Sequence, residues 1–105
     1  MTVPMTTEEE IDLGKVFAAL THDDRRAILH LLRRAHENGQ PGLSITQIAV
    51  GAEISRFGAS HHLGVLRVAG LIRTVPENRA QISSIVPHAV VEAIDWLIPF
   101  TDGTI

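Results

Sequence analysis

Residues 55–79 read Ser-Arg-Phe-Gly-Ala-Ser-His-His-Leu-Gly-Val-Leu-Arg-Val-Ala-Gly-Leu-Ile-Arg-Thr-Val-Pro-Glu-Asn-Arg, and this stretch decides the fold. Ser55 is a favourable N-cap residue, and apolar residues then recur at helical spacing until Gly70, which predicts a helix. Its inward positions are expected to be Ala59, Leu63 and Leu66. Apolar runs at residues 71–75 and 80–85 predict two strands. The turn-forming residues 76–79 between them predict a hairpin with a four-residue turn.

Three further helices are expected before this stretch. An acidic start after a capping residue at Thr7, followed by apolar residues on one face, predicts a first helix over about residues 8–20. A second helix is expected from residue 21 until Gly39, which suits the left-handed end of a helix. A short extended segment at residues 43–45 precedes a third helix over about residues 46–53.

A last helix is expected over residues 87–100, with Pro87 at a position where its missing N–H costs nothing. Its apolar residues surround more of the helix than one small core can cover. The predicted order is therefore α-α-α-α-β-β-α, a mainly α fold with a small β-hairpin. This is the outline of a winged helix-turn-helix, a single domain over residues 1–105 with a frayed N-terminus at residues 1–6.

The charge distribution fits a surface that binds nucleic acid better than the net charge does. The 105 residues carry a formal net charge of -3, yet residues 54–79 contain four arginines and one glutamate, and acidic residues gather towards both ends. The absence of cysteine excludes disulfides and thiolate metal sites. Because no signal peptide and no apolar run long enough to span a bilayer appears, a cytoplasmic protein is expected.

Three runs of the sequence resemble the ArsR/SmtB family of winged-helix repressors. Residues 20–32 resemble the family's second helix, and residues 45–49 resemble its third. Residues 60–72, Ser-His-His-Leu-x-x-Leu-Arg-x-Ala-Gly-Leu-Ile, resemble its recognition helix and the start of its wing. The resemblance covers residues from about 13 to 98. It implies a homodimeric DNA-binding transcriptional regulator, usually a repressor that a ligand releases from DNA.

The sequence also departs from the family pattern at three positions. Asn78 stands where the wing turn usually has glycine, although asparagine tolerates the left-handed conformation. Gly64 replaces a long side chain, which weakens the helix by up to ~1 kcal/mol and removes a phosphate contact. Val68 stands where the family often has an acid. It is expected to share an outward face with Phe57, His61 and Gly64, and this face is less polar than is usual in the family.

The residues expected to contact DNA follow from the docking geometry of helix-turn-helix proteins, in which the start of the recognition helix reaches the bases. Arg56 is expected to pair with guanine and Phe57 to touch a thymine methyl group. The other expected contacts are to bases or phosphates, and the full set is Gln47, Ser55, Arg56, Phe57, Ser60, His61 and Arg79. Ordinary exposed residues are the alternative interpretation of the same pattern.

Two neighbouring residues are assigned packing roles. His62 is expected to pack within the domain and Arg67 to brace it. Ser60, His61 and His62 point to different faces of a helix, so they cannot form a catalytic relay. We therefore expect no enzyme activity and no cofactor.

A metal site is not expected either. In the alignment with the family, the residues of its carboxylate–histidine site fall on Pro87, Ala89, Phe100 and Gly103, none of which can bind a metal. The group His88, Glu92 and Asp95 shares one helical face and offers a weak candidate site with a partner subunit. A solvated face is the favoured interpretation.

The broad apolar face of the last helix predicts a homodimer built from the first and last helices. The expected interface residues are Leu13, Phe17, Ile94, Trp96, Leu97 and Ile98. The function that follows is sequence-specific binding of double-stranded DNA at an inverted repeat, as a repressor. The alternatives are a winged-helix module that binds protein, or a metal-responsive regulator with His, Asp or Glu ligands. The effector, whether small molecule, metal or protein, stays unknown.

Overall fold

The computed structural model describes residues 10–103 and has the predicted winged-helix order with one added strand. Its elements are α1 (Leu13–Ala19), α2 (Asp23–Glu37), β1 (Leu43–Ser44), α3 (Ile45–Ala52), α4 (Arg56–Val68), β2 (Ile72–Glu77), β3 (Ala80–Ile85), α5 (His88–Leu97) and a 3₁₀ helix (Ile98–Thr101). The short segment predicted as extended is β1. It pairs antiparallel with β3, so the sheet has three strands in the order β1-β3-β2.

Several predicted helix boundaries differ from the structure, among them the start of the second helix, which begins at Asp23 after the cap residue His22 and not at residue 21. The first helix begins at Leu13, because the Asp12 side chain accepts a hydrogen bond from the Lys15 amide and caps it there. The expected cap at Thr7 and residues 1–6, which were expected to be frayed, lie outside the described residues. The last helix ends at Leu97 instead of continuing to residue 100, because Pro99 has no N–H for a further α-helical bond.

The wing turn has two residues, not four. Glu77 pairs directly with Ala80, which leaves Asn78 and Arg79 as the loop. Both have positive φ, 49° and 69°, as a type I′ turn requires. The predicted tolerance of Asn78 for the left-handed conformation is therefore confirmed, and Arg79 adopts it as well.

The core is aliphatic and lies where α1 to α5 meet the sheet. Val16, Ile28, Ile48, Ala59, Leu63, Leu66 and Leu71 are among its buried members. The predicted inward positions of α4 are thus confirmed. Gly42 marks a close approach of β1 to β3, since a Cβ atom at this residue would lie 2.4 Å from the Ser83 carbonyl oxygen.

The last helix is less buried than its composition suggests. Only Ala89 and Ala93 of α5 are buried within the described chain, whereas Ile94 and Trp96 keep 47% and 50% of their surface exposed. Trp96 contacts the half-buried Phe17 of α1, with ring centroids 5.8 Å apart. The helices α1 and α5 therefore pack together within the chain, and α5 leaves large apolar side chains exposed beside α1.

Candidate nucleic-acid interface

The helix-turn-helix is formed by α3 and α4, and its turn is set by caps at both helices. Ser44 and Gln47 form a capping box at the start of α3, in which each side chain accepts a hydrogen bond from the other residue's backbone N–H. Glu53 ends α3 in the left-handed conformation, with φ 58°. Ser55 Oγ then accepts a hydrogen bond from the Gly58 amide at 2.9 Å and starts α4. The caps therefore fix where α3 ends and where α4 begins.

The outer face of α4 is defined by Phe57, His61, Gly64 and Val68, as predicted. Phe57 is 87% exposed and Val68 69% exposed. Gly64 faces open space, because a Cβ atom there would meet no atom within 4 Å. The outer face of α4 is therefore free to enter a groove or to meet another molecule.

The residues predicted to contact DNA lie on three neighbouring parts of the fold. Arg56, Ser60 and His61 are exposed in the first turns of α4. Gln47 is exposed in the first turn of α3, but its side-chain oxygen already accepts the Ser44 N–H at 2.9 Å. Arg79 is exposed at the tip of the wing. Ser55 and Gln47 are thus caps first, and only their remaining hydrogen-bonding capacity is open to a partner.

A hydrogen-bond chain connects α4 to the wing. Arg67 Nε and Nη2 donate to Thr74 Oγ1 at 3.3 and 3.2 Å, and Thr74 Oγ1 lies 2.9 Å from Ser83 Oγ. Because a guanidinium only donates, Thr74 accepts from Arg67 and its own hydrogen is available for the buried Ser83. The bracing role predicted for Arg67 is confirmed: Arg67 bonds Thr74 of β2, and Thr74 in turn contacts Ser83 of β3.

The second histidine of α4 is buried, as predicted. His62 is 8% exposed and accepts a hydrogen bond from Arg25 Nη1 at its Nδ1 atom, at 3.2 Å. Arg25 also donates to the Ala19 carbonyl at 2.7 Å, so one side chain joins α1, α2 and α4. Burial lowers the pKa of His62, and the nearby His22 and Arg25 lower it further.

The structure brings together a group of side chains that the sequence analysis missed. His22 and Asp24 at the start of α2 lie beside His62, and ligand atoms of the three lie within 4.8 Å of one another. Within residues 10–103 this is the one cluster of three such residues, and His88, Glu92 and Asp95 do not form another. Nearly forty positions separate the two segments in the sequence, so periodicity within either one gives no sign of the contact.

The comparisons with known proteins agree with this geometry. A family model described as a helix-turn-helix domain matches residues 20–75. No curated protein sequence is similar enough to match. No helix within residues 10–103 is long and apolar enough to cross a membrane.

Several solved structures share the fold. An ArsR-like transcriptional regulator from Rhodococcus sp. RHA1 is 27% identical, with a TM-score of 0.73 over 86% of this chain and 79% of that one. An ArsR family transcriptional regulator, RHA00566, is 22% identical, with a TM-score of 0.72 over 95% and 94%. The homodimeric winged helix-turn-helix DNA-binding domain of Mb0332 from Mycobacterium bovis is 23% identical, with a TM-score of 0.64 over 86% and 80%.

Proposed function

Because the chain belongs to the helix-turn-helix domain family and has the winged fold of ArsR-type transcriptional regulators, we propose that it is a cytoplasmic repressor that binds double-stranded DNA as a homodimer. The observation that carries the proposal is the free outer face of α4, flanked by Arg56 and by Arg79 at the wing tip. In this fold such a helix enters the major groove, and a basic wing tip reaches the adjacent groove or backbone.

The expected roles divide into base contacts and backbone contacts. Arg56 and Phe57, in the first turn of α4, are placed to meet a guanine and a thymine methyl group. Ser60 and His61, one turn later, supply hydrogen bonds to bases or phosphates. Arg79 and the N-terminal turn of α3, which includes Gln47, contact phosphates.

The second part of the proposal is the dimer. The surface formed by α1 and α5 exposes Ile94, Trp96 and Leu97, and neighbouring exposed apolar side chains of this kind are typical of protein–protein interaction sites. Leu13, Phe17 and Ile98 complete the proposed interface. A two-fold axis there sets two α4 helices about one DNA turn, ~34 Å, apart and requires an inverted-repeat operator.

DNA selection followed by fluorescence anisotropy tests the proposal. We expect an inverted repeat to be selected from a random duplex library, and Arg56→Ala to weaken its binding by ~1–3 kcal/mol while relaxing base preference. Arg79→Ala should weaken all sequences more evenly and flatten the salt dependence. Arg33→Ala is the matched control, since Arg33 lies beside Pro87 at the open end of the hairpin. Wild-type binding by both the Arg56 and the Arg79 variants would refute the assignment.

Sedimentation velocity tests the dimer separately. We expect a dimer at micromolar concentration, and a monomer after Ile94→Asp, because a charge would be buried at the interface. Phe57→Asp introduces the same charge at an exposed apolar residue outside the surface formed by α1 and α5, and it should leave the dimer intact. A monomeric wild-type protein would contradict this part of the proposal.

A protein-binding winged-helix module is the second candidate function. The exposed Phe57 and Val68 favour it, because an outer face with two large apolar residues suits a protein surface as well as a groove of DNA. The selection experiment separates the two functions. If the chain binds DNA, the selection enriches one duplex sequence, and the affinity for it falls steeply as the salt concentration rises. If the chain is a protein-binding module, no sequence is enriched.

A further inference from the structure

We propose that His22, Asp24 and His62 form a zinc site between the start of α2 and the recognition helix α4. Ligand atoms of the three side chains lie within 4.8 Å of one another, and His62 Nε2 lies 3.7 Å from Asp24 Oδ2. Two ligands of a tetrahedral zinc ion stand roughly 3.3 Å apart. His22 is exposed and Asp24 half-exposed, so both side chains have room to rotate towards a shared ion.

The donor set selects the class of metal. Two imidazoles and one carboxylate suit borderline divalent ions such as zinc, and three protein ligands leave a fourth position for water. The site opens to solvent on the side of His22 and Asp24, whereas His62 forms its buried wall. The chain has no cysteine, so thiolate ligands do not compete with this site.

The hydrogen bonds of the cluster show what zinc must displace. The Asp24 amide donates to His22 Nδ1 at 3.1 Å, and Arg25 Nη1 donates to His62 Nδ1 at 3.2 Å. A neutral imidazole that accepts at Nδ1 carries its proton on Nε2. To bind zinc through Nε2, each ring must move that proton to Nδ1 and give up its present donor. Losing the neutral bond at His22 lowers the zinc affinity by a factor of about two to ten, and losing the bond from the charged Arg25 guanidinium lowers it by about ten to a hundredfold.

This exchange connects the metal to the helix that carries the DNA-facing residues. The His22 bond caps α2, and the Arg25 bond holds His62 of α4 against α1 and α2. Zinc would replace both bonds with a direct link between the start of α2 and α4. The inference goes beyond the proposed function, and its test requires no DNA.

Calorimetric titration of tag-free, chelator-treated protein with zinc chloride tests the site. We expect one zinc ion per chain with a Kd of about 10 μM or tighter. His22→Ser keeps a residue that can cap α2 and removes one ligand, and Asp24→Asn removes the carboxylate. Each should weaken zinc binding at least about tenfold. His30→Asn removes an exposed histidine of the same helix and should bind zinc as wild type does.

Nitrogen-15 spectra of the histidine rings provide the second readout. We expect the Nε2–H form of His22 and His62 without zinc and the Nδ1–H form with it. The proposal is overturned if wild-type protein shows no zinc binding, if His22→Ser and Asp24→Asn bind as tightly as wild type, or if the two rings keep their form when zinc is bound. An equal loss of binding in His30→Asn would overturn it as well.

Discussion

The substitution Thr74→Val tests the connection between α4 and the wing. Valine has nearly the shape of threonine, so the change removes the hydroxyl that joins Arg67 to Ser83 and little else. Ser83 is 2% exposed, and leaving a buried hydroxyl without its partner costs about 1–3 kcal/mol. Arg67 is exposed and stays hydrated, so the loss of its hydrogen bond to Thr74 adds little to the loss of stability. We therefore expect a loss of about 1–3 kcal/mol in the free energy of unfolding.

Urea unfolding of the variants in a double-mutant cycle measures this coupling. Ser83→Ala removes the stranded hydroxyl, so the double variant Thr74→Val with Ser83→Ala should be no less stable than Thr74→Val alone. The midpoint of thermal unfolding should fall by roughly 4–8 °C for each kcal/mol of unfolding free energy lost, for a domain of this size. Thr46→Val, at an exposed threonine in α3, is the control and should change stability by less than about 0.5 kcal/mol. Additive losses in the double variant would refute the reasoning.

Two further predictions concern positions where local conformation decides the outcome. Gly64→Ala should raise the unfolding free energy by up to ~1 kcal/mol, because alanine favours the helix and its methyl group meets open space. Gly51→Ala is the comparison, because its methyl group would lie 2.9 Å from a Leu31 methyl group, and it should lose most of this gain in unfolding free energy. Equal gains for the two variants in urea unfolding would contradict the packing argument. Arg79→Gly should stabilise the wing turn by about 1 kcal/mol, since glycine accepts positive φ, yet weaken DNA binding in anisotropy measurements. A variant that changes neither property would refute the assigned role of the wing tip.

The helices of the helix-turn-helix were predictable because the capping residues and the apolar spacing that indicate them are local features of the sequence. Ser55 caps α4 in the structure as its chemistry indicates, and Ala59, Leu63 and Leu66 face the core at the spacing that the sequence shows. The exposure of Phe57 also follows from that periodicity. Its contact with DNA stays a prediction, since burial and spacing do not identify a ligand.

The boundaries that the sequence analysis missed depend on competition between neighbouring signals. Thr7 and Asp12 both offer a helix cap, and the helix in the described residues starts after Asp12. The turn signals at residues 76–79 span four positions, but the pairing of Glu77 with Ala80 extends the strands and leaves only two in the loop. Strand pairing supplied the deciding hydrogen bonds, and these form between segments rather than within one.

The sequence by itself determined the order of the helices and strands, which faces are apolar and that Asn78 can adopt positive φ, because these properties arise from groups a few residues apart. Only the tertiary structure decided that Arg67 reaches Thr74, that β1 joins the sheet and that His22 and Asp24 meet His62. Such contacts form between distant segments as the core closes, so their geometry depends on packing as a whole.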